Sequence, residues 1–524
     1  MFAVAASAIA LATLHRFGAT WDEEHSMRQG DLVLRWYASG FTDRRVIDEG
    51  NFRFYGGFFN VVVQLVHRAG APLYGASHVI TLLFALVSLP LAYWIGATAF
   101  SPAAGFFSMA LLWLTPVYYG HSFNNPKDAP FAVMSLASLA TIISCWDHLP
   151  RPPVRVWLRT AIVIGLTMAI RIGGLVLFEY LALSWLAWLA IRGGDTRPAR
   201  VRSFLQLAIT GAQIFVVAWL LMCVFWPWAQ ESPVHGPWRG LLAARRFTDF
   251  TAIVRFQGLD ILSDQLPRTY VPIILGITLP EFYFLIAALA PFALVWRLRR
   301  RTTEPIDHRS AVFIALIVVA TFFPIASAIQ SGTILYDGMR HLLFIVPPLA
   351  VLAGIVTASF FSNVGSRAAG AAVAIALAAS VSVTAADMWR LHPYESIYFN
   401  RTFGGGLPHA YGRFETDYWG QSYREATDWL VANYAPAKPG PIRVANCSVP
   451  FLTGYYLDTP ERREHFLNVH LDEHPDVVLA TTRWHCNEIV AGRVLHVVTR
   501  MNTPLCYVIE VDPARYVPPS NMGQ

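Results

Sequence analysis

The chain has 524 residues, of which 55% are hydrophobic and only 14% are charged, and its net charge is +6. Soluble proteins carry about twice that charged fraction, so the composition excludes an ordinary soluble enzyme and predicts a membrane protein. The positive charge is mostly arginine in short segments between apolar runs, so we expect no nucleic-acid partner.

Apolar runs along the chain are long enough to cross about 30 Å of hydrocarbon, which takes about twenty residues. The first run is also short enough to be a cleaved signal peptide, but it lacks a basic segment, and we interpret it as a spanning helix. The eleven predicted spans lie near residues 2–18, 76–98, 103–120, 129–146, 156–171, 173–191, 204–226, 271–296, 311–329, 341–361 and 368–386.

Arginine-rich connections alternate with other polar segments between these runs, and positively charged connections usually face the cytoplasm. With the N-terminus inside, an odd number of spans places the remaining polar clusters and the C-terminal tail on the outer face. The connections predicted to be cytoplasmic lie near residues 147–155, 192–203, 297–310 and 362–367. Any chemistry is therefore expected outside the cytoplasm.

Two long segments between the spans carry elements of their own. Residues 19–75 contain two amphipathic stretches, EHSMRQGDLVLRWYASG and YGGFFNVVVQLVHRAG. Their spacing predicts helices that lie along the membrane interface. Residues 227–270 begin within WPWAQESPVHGPW, residues 226–238, whose tryptophans are typical of the headgroup region.

After about residue 388 the composition becomes that of a soluble domain. Runs such as PDVVLATTR and GRVLHVVTR alternate like strands and predict a small α/β domain outside the membrane. We therefore divide the chain into a transmembrane catalytic domain, residues 1–387, and an extracytoplasmic C-terminal domain, residues 388–524. The loop 19–75 belongs to the first of these domains.

The five cysteines show no spacing typical of a zinc site. Cys145 and Cys223 lie in apolar helices, where we interpret them as packing residues. Cys447, Cys486 and Cys506 lie in the predicted outer domain. They allow at most one internal disulfide, and three pairings are open.

The sequence TWDEEHSMRQGD, residues 20–31, begins with three carboxylates at the outer end of the first run. Asp22 follows Trp21 at the membrane boundary, where low dielectric can tune a carboxylate to take a proton from a hydroxyl. Alternatively, Asp22 caps the following helix, with Glu23 and Glu24 in its first turn, where negative charge suits the helix dipole.

Charged residues recur at the outer ends of later spans. NNPKDAPF places Lys127 and Asp128 at the start of a helix, where they can act in chemistry or serve as an interfacial anchor and a cap. Arg171, in AIRIGG, lies within an apolar hairpin. A charge there is costly unless it is paired or functional.

YDGMRH places Asp337, Arg340 and His341 at the outer start of a further helix, whose dipole favours an anion. The outer face thus combines a carboxylate that can act as a base with basic groups that can hold a phosphate. Sugar transfer from a phosphate-linked lipid needs both, because the acceptor hydroxyl loses a proton while the departing phosphate gains negative charge. The spans would hold the isoprenoid tail.

Several motifs occur together in a specific order: TWDEE, NNPKDAPF, the Arg-x-Gly-Gly of 171–174, YDGMRHLLFIVPP, HPYESIYFN and FETDYWGQSYREATDWL. Together they resemble the bacterial branch of the GT-C glycosyltransferases, ArnT-like members of family 39. This branch is similar to the protein O-mannosyltransferases and the lipid A aminoarabinose transferases. The resemblance covers roughly residues 1 to 430.

The resemblance implies a transferase that moves a hexosyl or pentosyl group from a polyprenyl-phosphate donor to an acceptor hydroxyl, normally with inversion. It further implies a multi-pass protein of the bacterial inner membrane with its active site facing the periplasm. The acceptor would be an envelope lipid, glycan or protein. The fold class expected is a polytopic α-helical GT-C protein with about 11 transmembrane helices and a small C-terminal α/β domain.

The resemblance also implies roles for single residues. Asp22 would be the base, Glu23 its neighbour, and Asp128 a carboxylate that orients the acceptor or a basic partner. Relatives often carry a lysine before Pro-Pro in the first outer loop, where this chain reads NFRFYGGFF, so Arg53 is a candidate substitute. The predicted donor-phosphate residues are Arg53, Lys127, Arg171, Arg340 and His341. The candidates for the acceptor side, or for a packed neck between the domains, are Glu395, Asp417, Tyr418 and Trp419.

We expect no required metal. Carboxylates such as Asp22, Glu23 and Asp128 can hold a divalent cation, but arginine can neutralise the phosphate instead. A transporter or flippase of a lipid-linked substrate is the alternative function. Such proteins are often built from internal repeats with helices broken near the midplane, and the sequence shows neither. A membrane-anchored assembly protein would not need eleven spans.

Overall fold

A computed structural model describes residues 1–245, 251–299, 307–434 and 440–518 of this protein. Helices dominate the part before the C-terminal domain. They are α1 (Phe2–Thr13), α2 (Trp21–Ala38), α3 (Arg45–Asp48), α4 (Phe58–Arg68), α5 (Leu73–Ala99), α6 (Pro102–Trp113), α7 (Pro116–Asn124), α8 (Asp128–Cys145), α9 (Val154–Met168), α10 (Val176–Arg192), α11 (Arg197–Val224), α12 (Pro227–Glu231), α13 (His235–Arg245), α14 (Tyr270–Thr278), α15 (Glu281–Arg299), α16 (His308–Ser331), α17 (Val346–Asn363) and α18 (Arg367–Leu391).

Among the described residues, seven helical segments are long and apolar enough to cross a membrane. Two further pairs of helices pass the same test only together, and they bend by 95° and 103° at short breaks. The seven segments are Leu73–Ala99, Asp128–His148, Ile172–Arg192, Arg197–Val224, His308–Ser331, Arg340–Asn363 and Arg367–Leu391. The chain is therefore an integral membrane protein, as its composition predicts.

The predicted count of about 11 spans is not fully confirmed. The run 103–120 divides into α6 and α7, because Pro116 begins a new helix and cannot continue the old one. The run 156–171 forms α9, which has only 15 residues and reaches roughly 22 Å. The runs 2–18 and 271–296 belong to the two bent pairs.

Small residues allow close packing at the centre of the bundle. α17 packs against α6, and a Cβ on Gly354 would lie 2.5 Å from the backbone nitrogen of Ser108. Such small-residue contacts are typical of helix pairs in membranes. Both predicted amphipathic stretches of the first long loop are helical, as α2 and α4.

The segment after α18 forms a neck, residues 392–422, and then a small sheet domain. The neck carries α19 (Gly406–Ala410), and α20 (Tyr423–Asn433) follows it. A hairpin of β1 (Ile253–Phe256) and β2 (Leu259–Leu262) reaches the neck through a bridge between Phe256 and Phe414. The remaining elements are α21 (Phe451–Leu457), α22 (Pro460–Arg463), α23 (Cys486–Ile489), β3 (Ile442–Asn446), β4 (Phe466–Asn468), β5 (Val477–Thr481), β6 (Gly492–Arg500) and β7 (Thr503–Val511).

The C-terminal sheet has the strand order β4-β3-β5-β7-β6. β3 runs parallel to β4 and β5, whereas β7 is antiparallel to β5 and β6. This arrangement confirms the predicted small α/β domain, and the division at residue 387 stays a prediction. Of the three open cysteine pairings, the structure has Cys447 bonded to Cys486, and Cys506 is free and buried.

Candidate functional site

Arg340 lies at the centre of a buried charge cluster. It begins the short 3-10 helix Arg340–Ile345 that leads into α17. Its guanidinium donates to Asp22 at 2.8 Å, and Asp128 lies 3.5 Å away. Only 4% of the Arg340 side chain is exposed. A buried guanidinium is tolerated because carboxylates compensate for its lost hydration.

Asp128 is held by its own helix start. The Asp128 backbone N–H donates to Asn125 Oδ1 at 2.7 Å, and the Asn125 amide donates to Asp128 Oδ2 at 3.1 Å. The other carboxylate oxygen of Asp128 pairs with Arg171, which follows α9. Asp128 therefore bridges two arginines, and the structure brings Asp22, Asp128, Arg171 and Arg340 together from four separate segments.

The other predicted donor-side residues surround this cluster. The Lys127 ammonium lies 4.2 Å from the centre of the Tyr55 ring, and burial lowers the pKa of Lys127. His341 packs edge-on against Tyr336, with ring centres 4.7 Å apart, and its buried Nδ1 has no hydrogen-bond partner among the described residues. The Arg53 guanidinium lies over the ring of Phe54 at 4.8 Å.

Glu23 makes a different set of contacts from its neighbour Asp22. Its carboxylate accepts from the Thr20 backbone N–H at 2.9 Å and from the Ser77 hydroxyl at 3.0 Å, and it lies 3.1 Å from His78 Nε2. With Thr20 it forms a capping box at the start of α2. Thr20 is the N-cap residue, so the alternative in which Asp22 caps α2 is wrong, whereas Glu23 does lie in the first turn and its contacts fix that turn against α5.

We expect Glu23→Ala to destabilise the fold by about 1–3 kcal/mol, because three buried polar groups lose their acceptor. The midpoint of thermal unfolding in detergent measures this. Glu24→Ala is the matched control, since Glu24 is exposed in the same turn and should change stability by less than about 0.5 kcal/mol. Equal midpoints for the two variants would contradict a structural role for Glu23.

The neck contributes two aromatic residues to the cluster. The Arg340 guanidinium lies over the Trp419 ring at 5.1 Å, and the Tyr418 hydroxyl lies 3.2 Å from His121 Nε2. The backbone N–H of Trp21 also donates to the Trp419 carbonyl at 3.2 Å. These contacts join the start of α2 to the neck beside the charged groups.

The other two acceptor-side candidates organise the neck itself. Asp417 accepts from the backbone N–H groups of Gln421 and Ser422 at 3.0 Å and 2.9 Å, and burial raises its pKa. Glu395 lies 2.8 Å from His392 Nδ1. Both carboxylates therefore hold local turns of the neck. This agrees with the alternative in which these residues form a packed neck between the domains.

Two charged residues of the cluster had no predicted role. Asp337 pairs with Arg340 at 2.9 Å and with Arg483 at 2.9 Å. Asp337 belongs to the YDGMRH motif, so the sequence already indicated that it lies near Arg340. Arg483 comes from the C-terminal domain, directly after β5, and its only sequence signal is the Arg-Trp pair that follows a buried strand.

A large cavity opens beside the cluster. Its volume is about 360 Å³. Arg171, His341 and Glu179 are among its polar lining residues, and most of its wall is apolar. The wall includes Phe54, Phe131, Ile172, Leu175, Val176, Leu241, Phe323, Pro324, Ala328, Ile334, Leu335, Leu342 and Phe344. The cavity can therefore take an amphiphile with an anionic head.

No group of three or more His, Cys, Asp or Glu residues that could hold a metal occurs in the parts of the chain that the structure describes. Asp22, Asp128 and Asp337 are each paired with arginine. Their charge is therefore already compensated, and the absence of a required metal stays a prediction.

Solved structures share this architecture. The oligosaccharyltransferase from Archaeoglobus fulgidus, in its apo form, superposes with a TM-score of 0.50 at 11% identity, over 87% of this chain and 63% of that chain. The chain has a GT-C fold. This finding confirms the predicted fold class, and at this identity the likeness concerns the fold alone.

The ArnT protein from Cupriavidus metallidurans is also similar to this GT-C chain. Its apo crystal structure gives a TM-score of 0.49 at 12% identity and covers 99% of both chains. The structure bound to undecaprenyl phosphate gives a TM-score of 0.49 at 13% identity, over 97% of both chains. No family model matches the chain, and no curated protein matches it.

Proposed function

We propose that this GT-C protein is a glycosyltransferase that moves a sugar from a polyprenyl-phosphate donor to an acceptor hydroxyl. The observation that carries the proposal is the ion pair of Asp22 with Arg340 at 2.8 Å, beside an amphiphilic cavity. A base for the acceptor and a cation for the departing phosphate then lie within one site. The site faces the periplasmic side of a bacterial inner membrane in this proposal.

The cavity supports a lipid donor. Its apolar wall suits an isoprenoid chain, and Arg171 and His341 in its lining suit a phosphate. ArnT from Cupriavidus metallidurans has been solved with undecaprenyl phosphate, and AglB from Archaeoglobus fulgidus with a dolichol phosphate. We propose that this chain binds the same class of ligand.

The charges support an anionic donor. Glu415 lies near Arg483, but burial raises the pKa of Glu415 and so favours its neutral form. Among the contacts described, the site has three carboxylates and four cations, namely Asp22, Asp128, Asp337, Lys127, Arg171, Arg340 and Arg483. The phosphodiester of a polyprenyl-phosphate sugar would balance the surplus positive charge.

The reaction is a single displacement. Asp22 takes the proton of the acceptor hydroxyl, and the acceptor oxygen attacks the anomeric carbon on the face opposite the phosphate. The bond from that carbon to the phosphate oxygen breaks, and its electron pair stays on the phosphate, so the anomeric centre inverts. Negative charge grows on the phosphate during this step, and Arg340 and Arg171 stabilise it more in the transition state than in the bound donor.

Arg340 links the two halves of this reaction. Asp22 and the donor phosphate would share its guanidinium, so phosphate binding draws Arg340 away from Asp22. The Asp22 oxygen is then free to accept from the hydroxyl of an envelope lipid, glycan or protein. Trp419 lies beside Arg340 and Tyr418 packs against Trp419, so we propose that the acceptor binds next to these aromatic residues.

The experiment uses the purified full-length protein, a panel of undecaprenyl-phosphate sugars and an envelope extract. Mass spectrometry follows released undecaprenyl phosphate and new glycosides. We expect one donor to be consumed with an equal amount of glycoside formed, and a deletion strain to lack the corresponding envelope product. Movement of the labelled donor between vesicle leaflets with no glycoside formed would instead support a flippase.

Filling the cavity should block donor binding without touching the charged cluster. Ser327 lines the cavity from α16, and the neighbouring Ala326 is exposed and does not line it. We expect Ser327→Trp to weaken undecaprenyl phosphate binding by about tenfold or more, since displacing two buried CH₂ groups already costs about that much. Ala326→Trp is the control. Equal dissociation constants for the two variants would remove the cavity from the donor site.

A further inference from the structure

The loop after β5 carries an arginine of the C-terminal domain into the charged cluster. Only 7% of the Arg483 side chain is exposed. Its guanidinium lies beside two indoles, 5.4 Å from the Trp21 ring centre and 4.7 Å from that of Trp484. It also donates to the Tyr418 carbonyl. Arg483 therefore contacts α2, the neck and its own loop at once.

Asp337 forms ion pairs with two arginines. Its Oδ1 lies 2.9 Å from Arg483, and its Oδ2 lies 2.9 Å from Arg340. A carboxylate that binds one guanidinium with both oxygens holds it more firmly than one that shares itself between two. The contact with Arg483 thus limits the attraction of Asp337 for Arg340.

The backbone of this loop is held in a costly conformation. Trp484 and His485 have φ of 54° and 57°, in the left-handed region that L residues seldom adopt. Such geometry persists where surrounding contacts fix it, and it is frequent at functional sites. Here Trp484 packs edge-on against Trp21 at 5.5 Å, His485 lies 2.7 Å from Asp260, and Cys486 is bonded to Cys447.

We propose that Arg483 is a positioning residue, which binds Asp337 so that Arg340 stays available to Asp22 and to the donor phosphate. The C-terminal domain would thereby complete the site of the membrane domain. This inference rests on the proposed function, because it assigns Arg340 to the phosphate. Without Arg483, both oxygens of Asp337 turn to Arg340, and less positive charge is left for the donor.

The probe is undecaprenyl phosphate, bound to the purified full-length protein. Arg483→Gln is expected to weaken its binding by about tenfold, within the range that coupled charges show. Arg493→Gln is the matched control, because Arg493 lies on β6 with 73% of its side chain exposed. We expect that variant to bind the probe like the original protein.

The decisive variant is the double substitution Arg483→Gln with Asp337→Asn. It removes the competing carboxylate together with its partner, so binding should recover to within about threefold of the original protein. A residue that only supports the fold predicts the opposite, since two losses in one buried cluster would then add. A double variant that binds no better than Arg483→Gln overturns the proposal.

Arg483→Lys covers the case in which Arg483→Gln does not fold. Lysine keeps the charge opposite Asp337, so probe binding should stay within about threefold, and a tenfold loss overturns the proposal. Failure of the proposed function looks different, because the original protein would then form no glycoside, whatever its affinity for the probe. If the original protein binds the probe and Arg483→Gln binds it equally well, only the proposed positioning role of Arg483 is wrong.

Discussion

Asp22→Asn should reduce the rate of sugar transfer by about a hundredfold or more, because the acceptor hydroxyl loses its base while the side chain keeps its shape. Binding of undecaprenyl phosphate and the thermal midpoint should persist, since an amide can still accept a hydrogen bond from Arg340. The measurement is kcat for glycoside formation, with Kd for undecaprenyl phosphate determined on the same preparation.

Asp31→Asn provides the control for this variant. Asp31 lies on α2 as well, but it pairs with Arg35 and Arg68 away from Arg340. Its substitution should leave kcat within about twofold, as expected for a residue outside the site. If Asp22→Asn keeps more than about a tenth of the original kcat, Asp22 is not the general base.

Arg340→Ala is expected to abolish binding of undecaprenyl phosphate and transfer together. The substitution also leaves Asp22, Asp128 and Asp337 facing one another without their shared cation, and breaking a buried pair costs about 3–5 kcal/mol. The thermal midpoint should therefore fall as well. Kd, kcat and the midpoint have to be measured on the same variant.

Arg340→Lys separates binding from folding. Lysine keeps the charge, and so most of the stability, but it lacks the planar fork that reaches several oxygens at once. We expect a thermal midpoint near that of the original protein and a loss of about tenfold or more in phosphate affinity. Arg309→Ala serves as a control, because Arg309 pairs with Asp147 in a partly exposed contact. An unchanged Kd in Arg340→Lys and Arg340→Ala would remove this residue from the donor site.

The sequence located much of the cluster because its members lie at the ends of helices. Asp22, Asp128 and Arg340 each stand at a helix start, and Arg171 follows the end of α9. Charges at such positions between apolar runs are few and conspicuous. The alternation of spans predicted that these four residues share one face of the membrane. In the structure, ion pairs join them directly.

The roles of adjacent residues were harder to predict from the sequence. Asp22 and Glu23 are adjacent in sequence, but successive residues of a helix point about 100° apart. Asp22 therefore contacts Arg340, whereas Glu23 contacts Ser77 and His78 on α5. Which carboxylate of the pair faces the cluster depends on how α2 packs, and packing is not visible in a local motif.

Two further features depended on tertiary structure. Arg483 joins the cluster from a separate domain, and no spacing relates it to Asp337, which lies far earlier in the chain. The predicted number of spans is not fully confirmed because hydropathy records composition, whereas Pro116 and the two sharp bends decide where a helix ends. Apolar runs predict burial in a membrane or core more reliably than they predict one straight crossing.

The most direct measurement is a structure, by electron cryomicroscopy in lipid nanodiscs, of the full-length protein with undecaprenyl phosphate. Our account predicts that the phosphate lies within hydrogen-bond distance of Arg340 or Arg171 and that the isoprenoid chain follows the cavity past Leu335 and Phe344. Density for the lipid at another surface, with the pairs of Arg340 unchanged, would contradict it.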